Sequence, residues 1–202
     1  MKKVVDLFKP FLALVLGILM FLFYLNYYVK SGVPGTILAI GIVGLVIACW
    51  FVFVGIFGIA WPRMPVGLKK AFDIVSIVSF ATFIFVELLI EVIQSYAVMG
   101  ASSWIVYILA MVAALGLSIV YIISRFVKGE AMARVASIFG MVFVLALISK
   151  ILFPAGKGEP ITLEDIRVVP VLIYLAYCSL LLKSLAKEKR APAPAPIPVD
   201  EQ

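Results

Sequence analysis

Six runs of about 20 apolar residues, separated by short turns that carry charge, glycine or proline, dominate this chain. Wound as an α-helix, a run of that length matches the hydrocarbon thickness of a bilayer at about 1.5 Å per residue. In hydrocarbon every backbone N–H and C=O must be bonded without help from water, which a helix achieves within its own segment. The expected spans are 11–29, 36–60, 71–99, 104–124, 132–153 and 166–185. Composition excludes a water-soluble globule: 65% of the 202 residues are apolar and 14% charged, against roughly 45–50% and about 25% in soluble domains. The expected fold is an all-α integral membrane protein, a bundle of six transmembrane helices over residues 1–186, with little chain left for a domain outside the bilayer.

The boundaries carry their own signals. Pro10 stands where a helix start tolerates proline, and the first run is longer than a secretory signal's apolar core. Its bulky exit, Asn26-Tyr27-Tyr28, offers no small-residue cleavage site, so an uncleaved first span is expected. The second span carries Gly41, Gly44, Ala48, Gly55 and Gly58, small residues that let helix backbones approach closely in lipid. It closes on Trp61-Pro62-Arg63, an aromatic, a helix breaker and a charge at the membrane surface. The fifth span stops at Pro154, and Thr162 with Asp165 has the spacing of a helix cap before the sixth, which holds Pro170 in its early turns. Residues 187–202 combine a basic cluster, alternating alanine and proline, and an acidic end. Proline at every second position cannot sustain a helix, and a disordered tail is expected there.

Charge orients the bundle. With six crossings, one side collects Lys2, Lys3, Lys9, Arg63, Lys69, Lys70, Arg125, Lys128, Arg134, Lys183, Lys187, Lys189 and Arg190, thirteen of the 17 basic residues. The other collects only Lys30, Lys150, Lys157 and Arg167. Cytoplasmic loops of membrane proteins hold the excess of Lys and Arg, so both termini are expected in the cytoplasm of a multi-pass protein of the cell membrane. The net charge of +6 then marks topology and contact with anionic lipid headgroups, not a nucleic-acid partner. Arg125, Lys128 and Arg134 fit a solvated loop of that kind.

Several chemistries lack their residues. The chain has no histidine, the usual ligand for haem, copper and catalytic zinc and the usual general base near neutral pH. Cys49 and Cys178 form no Cys-x-x-Cys pair and fit small core residues. No phosphate-binding glycine loop, His-Glu-x-x-His or Gly-x-Ser-x-Gly occurs. No cofactor is expected, and an enzyme is disfavoured.

What remains is a polar stripe on the third span. At about 100° per residue, Asp73, Ser76, Glu87, Glu91 and Gln94 fall within one arc of about 60°, with Phe80 and Phe83 between them. An acid in mid-membrane costs roughly 2.5–3.5 kcal/mol on insertion scales, and two acids one turn apart repel when both are ionised. Such groups must face the bundle interior, water or a cation. Lys150 on the fifth span and Asn26 on the first lie at a matching depth in the other half of the bilayer from the basic side, and Tyr174 and Tyr177 on the sixth can reach it. Glu87, Glu91, Gln94, Lys150 and Asn26 are therefore the candidate ion or solute site, with Asp73 and Ser76 at the cytoplasmic end of the stripe. The expected function is transport: a cation- or proton-linked or small-solute transporter, a channel, or a subunit of one. The competing expectation is a non-catalytic accessory subunit that uses the same stripe to hold a partner subunit or a second copy.

Overall fold

The computed structural model describes residues 2–26, 36–61, 63–95, 101–127, 129–152 and 163–190, with side chains at 8–26, 38–39, 41–61, 63–88, 107–127, 129–149 and 168–190. It is all-helical over these residues: α1 (Lys2–Tyr24), α2 (Thr36–Ala60), α3 (Val66–Ser95), α4 (Ala101–Phe126), α5 (Ala131–Leu152) and α6 (Leu163–Arg190). Five of the six, α2 to α6, are long and apolar enough to cross a membrane, and the apolar part of α1 is the shorter segment Phe8–Tyr24. The expected boundaries differ from these mainly at the helix ends. Pro10 is not a helix start, since α1 begins eight residues earlier and carries Pro10 inside it. α6 runs on to Arg190, past the expected end of its span and through residues 187–190 of the expected disordered tail, which precede the alternating prolines and are helical; residues 191–202 lie outside the described residues.

The closest helix pair is α1 with α2, and glycine makes it so. A Cβ added at Gly17 would stand 2.6 Å from the Val52 backbone nitrogen and 2.7 Å from the Ala48 carbonyl oxygen. One added at Gly55 would stand 2.6 Å from the Leu14 backbone nitrogen, and one at Gly58 would stand 2.6 Å from Cβ of Pro10. The ring of Pro10 thus sits over a glycine of the neighbouring helix, where a larger residue would not fit. Apolar burial gives helices in lipid no reason to associate, because lipid tails are as apolar as leucine; close backbone packing supplies the attraction instead.

α6 is the central helix. It packs on α1, α4 and α5, and 67% of its membrane-length window is buried, against 28% for α5 and 33% for α2. Its inward residues include Tyr174, Tyr177, Cys178 and Ser179, none more than 1% exposed. α5 lies on it where Gly140 faces Ser179 and where the Ser137 hydroxyl donates to the Ser179 carbonyl at 2.8 Å. The outer faces of α2 and α5 present Val46, Ile56, Phe139 and Leu145, a surface that water would reject and lipid accepts. Cys178 is a core residue as expected, but Cys49 is exposed on the outer face of α2.

An aromatic layer fills the middle of the bundle between α2, α3 and α6. Phe80 stacks on Tyr174 with ring centroids 3.8 Å apart, and Phe51 stands edge-on to Phe80 at 5.6 Å and to Tyr177 at 5.9 Å. Pairs in these geometries contribute about 0.5–1.5 kcal/mol each beyond the area they bury. The α4–α5 turn depends on Gly129, whose φ of 123° is open to glycine and strained for other residues. The α2–α3 turn is closed by Met64 N–H to the Trp61 carbonyl at 3.1 Å, and Lys69 N–H to the Pro65 carbonyl at 3.1 Å opens α3.

The α1–α2 contact is testable. Gly17→Val forces a side chain into backbone and is expected to lower the unfolding midpoint in detergent by about 5 °C or more, at roughly 2–3 kcal/mol and about 2–4 °C per kcal/mol. Gly116→Ala, where the added Cβ meets nothing within 4 Å, is expected to leave the midpoint unchanged. A Gly17→Val midpoint equal to the native one would contradict the close packing.

Candidate functional site

Glu87 is turned into the bundle and is 4% exposed. Two tyrosines from other helices meet its carboxylate. Tyr24 of α1 donates to Oε2 at 3.1 Å and to Oε1 at 3.3 Å, and Tyr107 of α4 donates to Oε1 at 3.1 Å. These hydroxyls supply donors where water is excluded, and a buried carboxylate left without donors would cost far more than the bonds return. The local sequence explains how Tyr24 arrives there. Its ring lies against Gly44 of α2, where an added Cβ would approach the ring to 2.9 Å. It is also held edge-on by Phe83 and by Phe23, each with centroids 5.3 Å away.

Below this level the described interior is filled by apolar side chains. Phe83, Ile84, Phe80, Ile77 and Phe51 are all buried, the most exposed at 4%. Tyr174 closes the layer from α6, sharing a hydrogen bond of 2.7 Å with the Ser118 hydroxyl and donating to the Ile77 carbonyl at 3.4 Å. The Tyr177 hydroxyl is buried in the same layer.

On the far side of the aromatic layer the stripe becomes polar again. Trp50 of α2 donates its indole N–H to the Ser76 hydroxyl at 3.0 Å. Asp73 pairs with Lys9 of α1 at 3.0 Å, with 12% of the aspartate side chain and 24% of the lysine side chain exposed. Here the helix ends are tied together. Glu188 of α6 bonds Lys70 of α3 at 2.5 Å and lies 3.9 Å from Arg125 of α4, while Lys189 donates to the Ser124 and Val127 carbonyls at the end of α4. Arg125 also bonds the Tyr121 hydroxyl, and its guanidinium carbon lies 5.0 Å from the centroid of that ring. It is folded into the protein, unlike the solvated residue expected of it; Arg134, with its side chain 61% exposed, does fit that expectation. The beginning of α1 and the end of α6 thus meet at one basic end of the bundle.

The predicted residues therefore divide. Glu87, Ser76 and Asp73 point inward along one face of α3, in two polar levels about 16–21 Å apart at 1.5 Å per residue. Asn26 is exposed and donates to the Leu22 carbonyl of its own helix at 2.8 Å. Glu91 and Gln94 lie on α3 and Lys150 on α5, but their side chains are outside the described residues. Tyr24, Tyr107, Trp50 and Lys9 answer the stripe, and the periodicity of α3 does not point to them. Tyrosine and tryptophan within an apolar run leave no polar signature, and only the fold shows where a hydroxyl or an N–H ends up. Among the described residues no group of three His, Cys, Asp or Glu is placed to hold a metal ion.

Comparison with protein-family models, with curated proteins and with solved structures gives no match for this chain.

Two substitution series test this geometry. Tyr107→Phe keeps the ring and removes one donor from a buried acceptor, so it is expected to cost about 1–3 kcal/mol, read as a lower unfolding midpoint in detergent; no change would mean that Glu87 does not depend on this bond. For the pair at the basic end, Asp73→Leu alone leaves Lys9 uncompensated and is expected to be less stable than Lys9→Met/Asp73→Leu together. Additive losses in that double-mutant cycle would show that the two residues do not interact.

Proposed function

We propose that this chain is a membrane protein of transport type, crossing the cell membrane six times with its basic end in the cytoplasm, and that Glu87 is the group that takes up a cation or a proton. The observation that carries the reading is the direction of Glu87. The carboxylate faces the interior of its own bundle, where Tyr24 and Tyr107 hold it. A residue kept to grip a partner subunit would face outward, and the described outer faces of α2 and α5 are apolar. Intramembrane acids that face a bundle interior mark ion and proton pathways by default. The aromatic layer of Phe51, Phe80 and Phe83 then separates an outer polar level at Glu87 from an inner one at Ser76 and Asp73. An apolar constriction between two polar levels is how a pore or carrier stays shut to water.

Exposed Arg63, Lys183, Lys187 and Arg190 at the basic end are suited to anionic lipid headgroups. Glu91, Gln94 and Lys150 remain part of the proposed outer site, and the reading needs no cofactor. A partner subunit or a second copy is compatible with it.

The reading is tested in proteoliposomes by following proton, sodium and potassium flux under imposed gradients. Native protein is expected to carry at least one of these ions, and Glu87→Gln is expected to lower that flux about tenfold or more while circular dichroism and the unfolding midpoint show a folded protein. Equal flux in Glu87→Gln, or none in native protein under any gradient, would overturn the proposal.

A further inference from the structure

A groove of about 260 Å³ opens between α2 and α3, lined by Ala39, Val43, Ile47, Thr82, Phe83 and Val86. Ala39, Val43, Thr82 and Val86 are exposed and form its rim, while Ile47 and Phe83 are buried and form its floor. Among the described residues the one hydroxyl on the lining, that of Thr82, is turned back onto the Val78 carbonyl at 2.9 Å. The surface offered to an occupant is therefore apolar. α2 and α3 follow one another in the chain, yet they touch far less than α1 and α2 do, and the groove is the space this leaves.

Its position relative to the carboxylate gives it meaning. Val86 precedes Glu87, and Val43 precedes the Gly44 that seats Tyr24. Phe83, the floor, stands edge-on to the same Tyr24 ring that donates to Glu87. The floor of an apolar opening on the outside of the bundle is thus linked to a buried acid through the ring contact of Phe83 with Tyr24 and the bond of Tyr24 to Glu87. At membrane depth that opening faces lipid, so whatever uses it must arrive from the bilayer.

We propose that the α2–α3 groove is a lateral entrance through which a lipophilic organic cation reaches Glu87 from the bilayer, its apolar arm lying in the groove and its charged centre meeting the carboxylate and the aromatic rings of Phe83 and Tyr24. The inference rests on Glu87 as the cation-binding group. Charge complementarity selects a cation: the acid attracts positive charge, and aromatic faces add to that attraction when water is excluded. The apolar lining selects a lipophilic one. A small inorganic ion holds its hydration shell tightly and would have to shed it before entering the groove, whereas a cation wrapped in alkyl or aryl groups dissolves in the bilayer and loses little on entry. The groove is smaller than the roughly 300–1,000 Å³ of a site that encloses a drug-sized ligand, so it takes one arm of such a molecule and not the whole.

The test is equilibrium binding of radiolabelled tetraphenylphosphonium to the full-length protein in lipid nanodiscs, with tetraphenylborate, which has the same shape and the opposite charge, as the comparison. Saturable binding of the phosphonium and none of the borate is expected. Glu87→Gln is expected to weaken phosphonium binding about tenfold or more, as loss of a desolvated charge partner does, and Glu87→Asp to retain most of it. Val43→Trp blocks the rim from a position 49% exposed, where a larger side chain leaves the core undisturbed, and is expected to weaken binding by a similar factor. Equal binding of the two tetraphenyl ions, or native affinity in folded Val43→Trp, would overturn the entrance and point to an apolar groove filled by lipid chains. Ion flux in native protein that depends on Glu87, without saturable phosphonium binding, would sink this inference alone; phosphonium binding as expected, with flux indifferent to Glu87→Gln, would sink the transport reading instead.

Discussion

A buried carboxylate must find donors, and the way Glu87 finds them organises one half of this bundle. Two of its donors come from α1 and α4, so one acidic side chain on α3 joins three helices. The bonds constrain more than the residues that make them. Tyr24 can reach Glu87 only because Gly44 on a fourth helix leaves room for its ring. A polar requirement on α3 thereby becomes a steric requirement on α2.

The other half is organised by charge. Lys9 with Asp73, Glu188 with Lys70 and Arg125, and Lys189 with the last carbonyls of α4 tie α1, α3, α4 and α6 at one end. These groups lie nearer the bundle end than Glu87 does, and several are well exposed, so each exposed pair adds at most about 1 kcal/mol. Their collective effect is to fix which helix ends are neighbours. Between the two polar levels the aromatic layer packs without hydrogen-bonding demands of its own apart from the Tyr174 and Tyr177 hydroxyls, and it joins α2 and α3 to α6 through side chains. α3, which carries the candidate site, is thus held at both ends by polar contacts and in the middle by rings.

Most of the architecture was legible in the sequence for a simple reason. The bilayer imposes a length and a polarity on each span, and both are local properties of the chain. The expected second span coincides with α2, and the glycines at Gly44, Gly55 and Gly58 identified a packing face that α1 does occupy; Pro62 and Pro154 lie outside the described residues. Pro10 misled because proline is informative only about its own backbone: it removes one hydrogen bond, and α1 continues before it with the proline ring seated on Gly58. Arg125 misled because a loop-flanking arginine has the same local sequence whether it faces water or folds back over Tyr121 toward Glu188.

The candidate site divides along the same line. That α3 carries acids and hydroxyls on one face follows from helical periodicity, so the sequence by itself determined which helix and which face cannot meet lipid. Which groups answer that face was decided by the tertiary structure: two tyrosines, a tryptophan and a lysine from α1, α2 and α4, with Asn26 turned away to its own helix. Their spacing from Glu87, Ser76 and Asp73 along the chain has no period, because it depends on how whole helices pack. Packing in lipid follows from where backbones can approach, at Gly17, Gly55 and Gly58, and that choice settles which hydroxyl lies within reach of a buried acid.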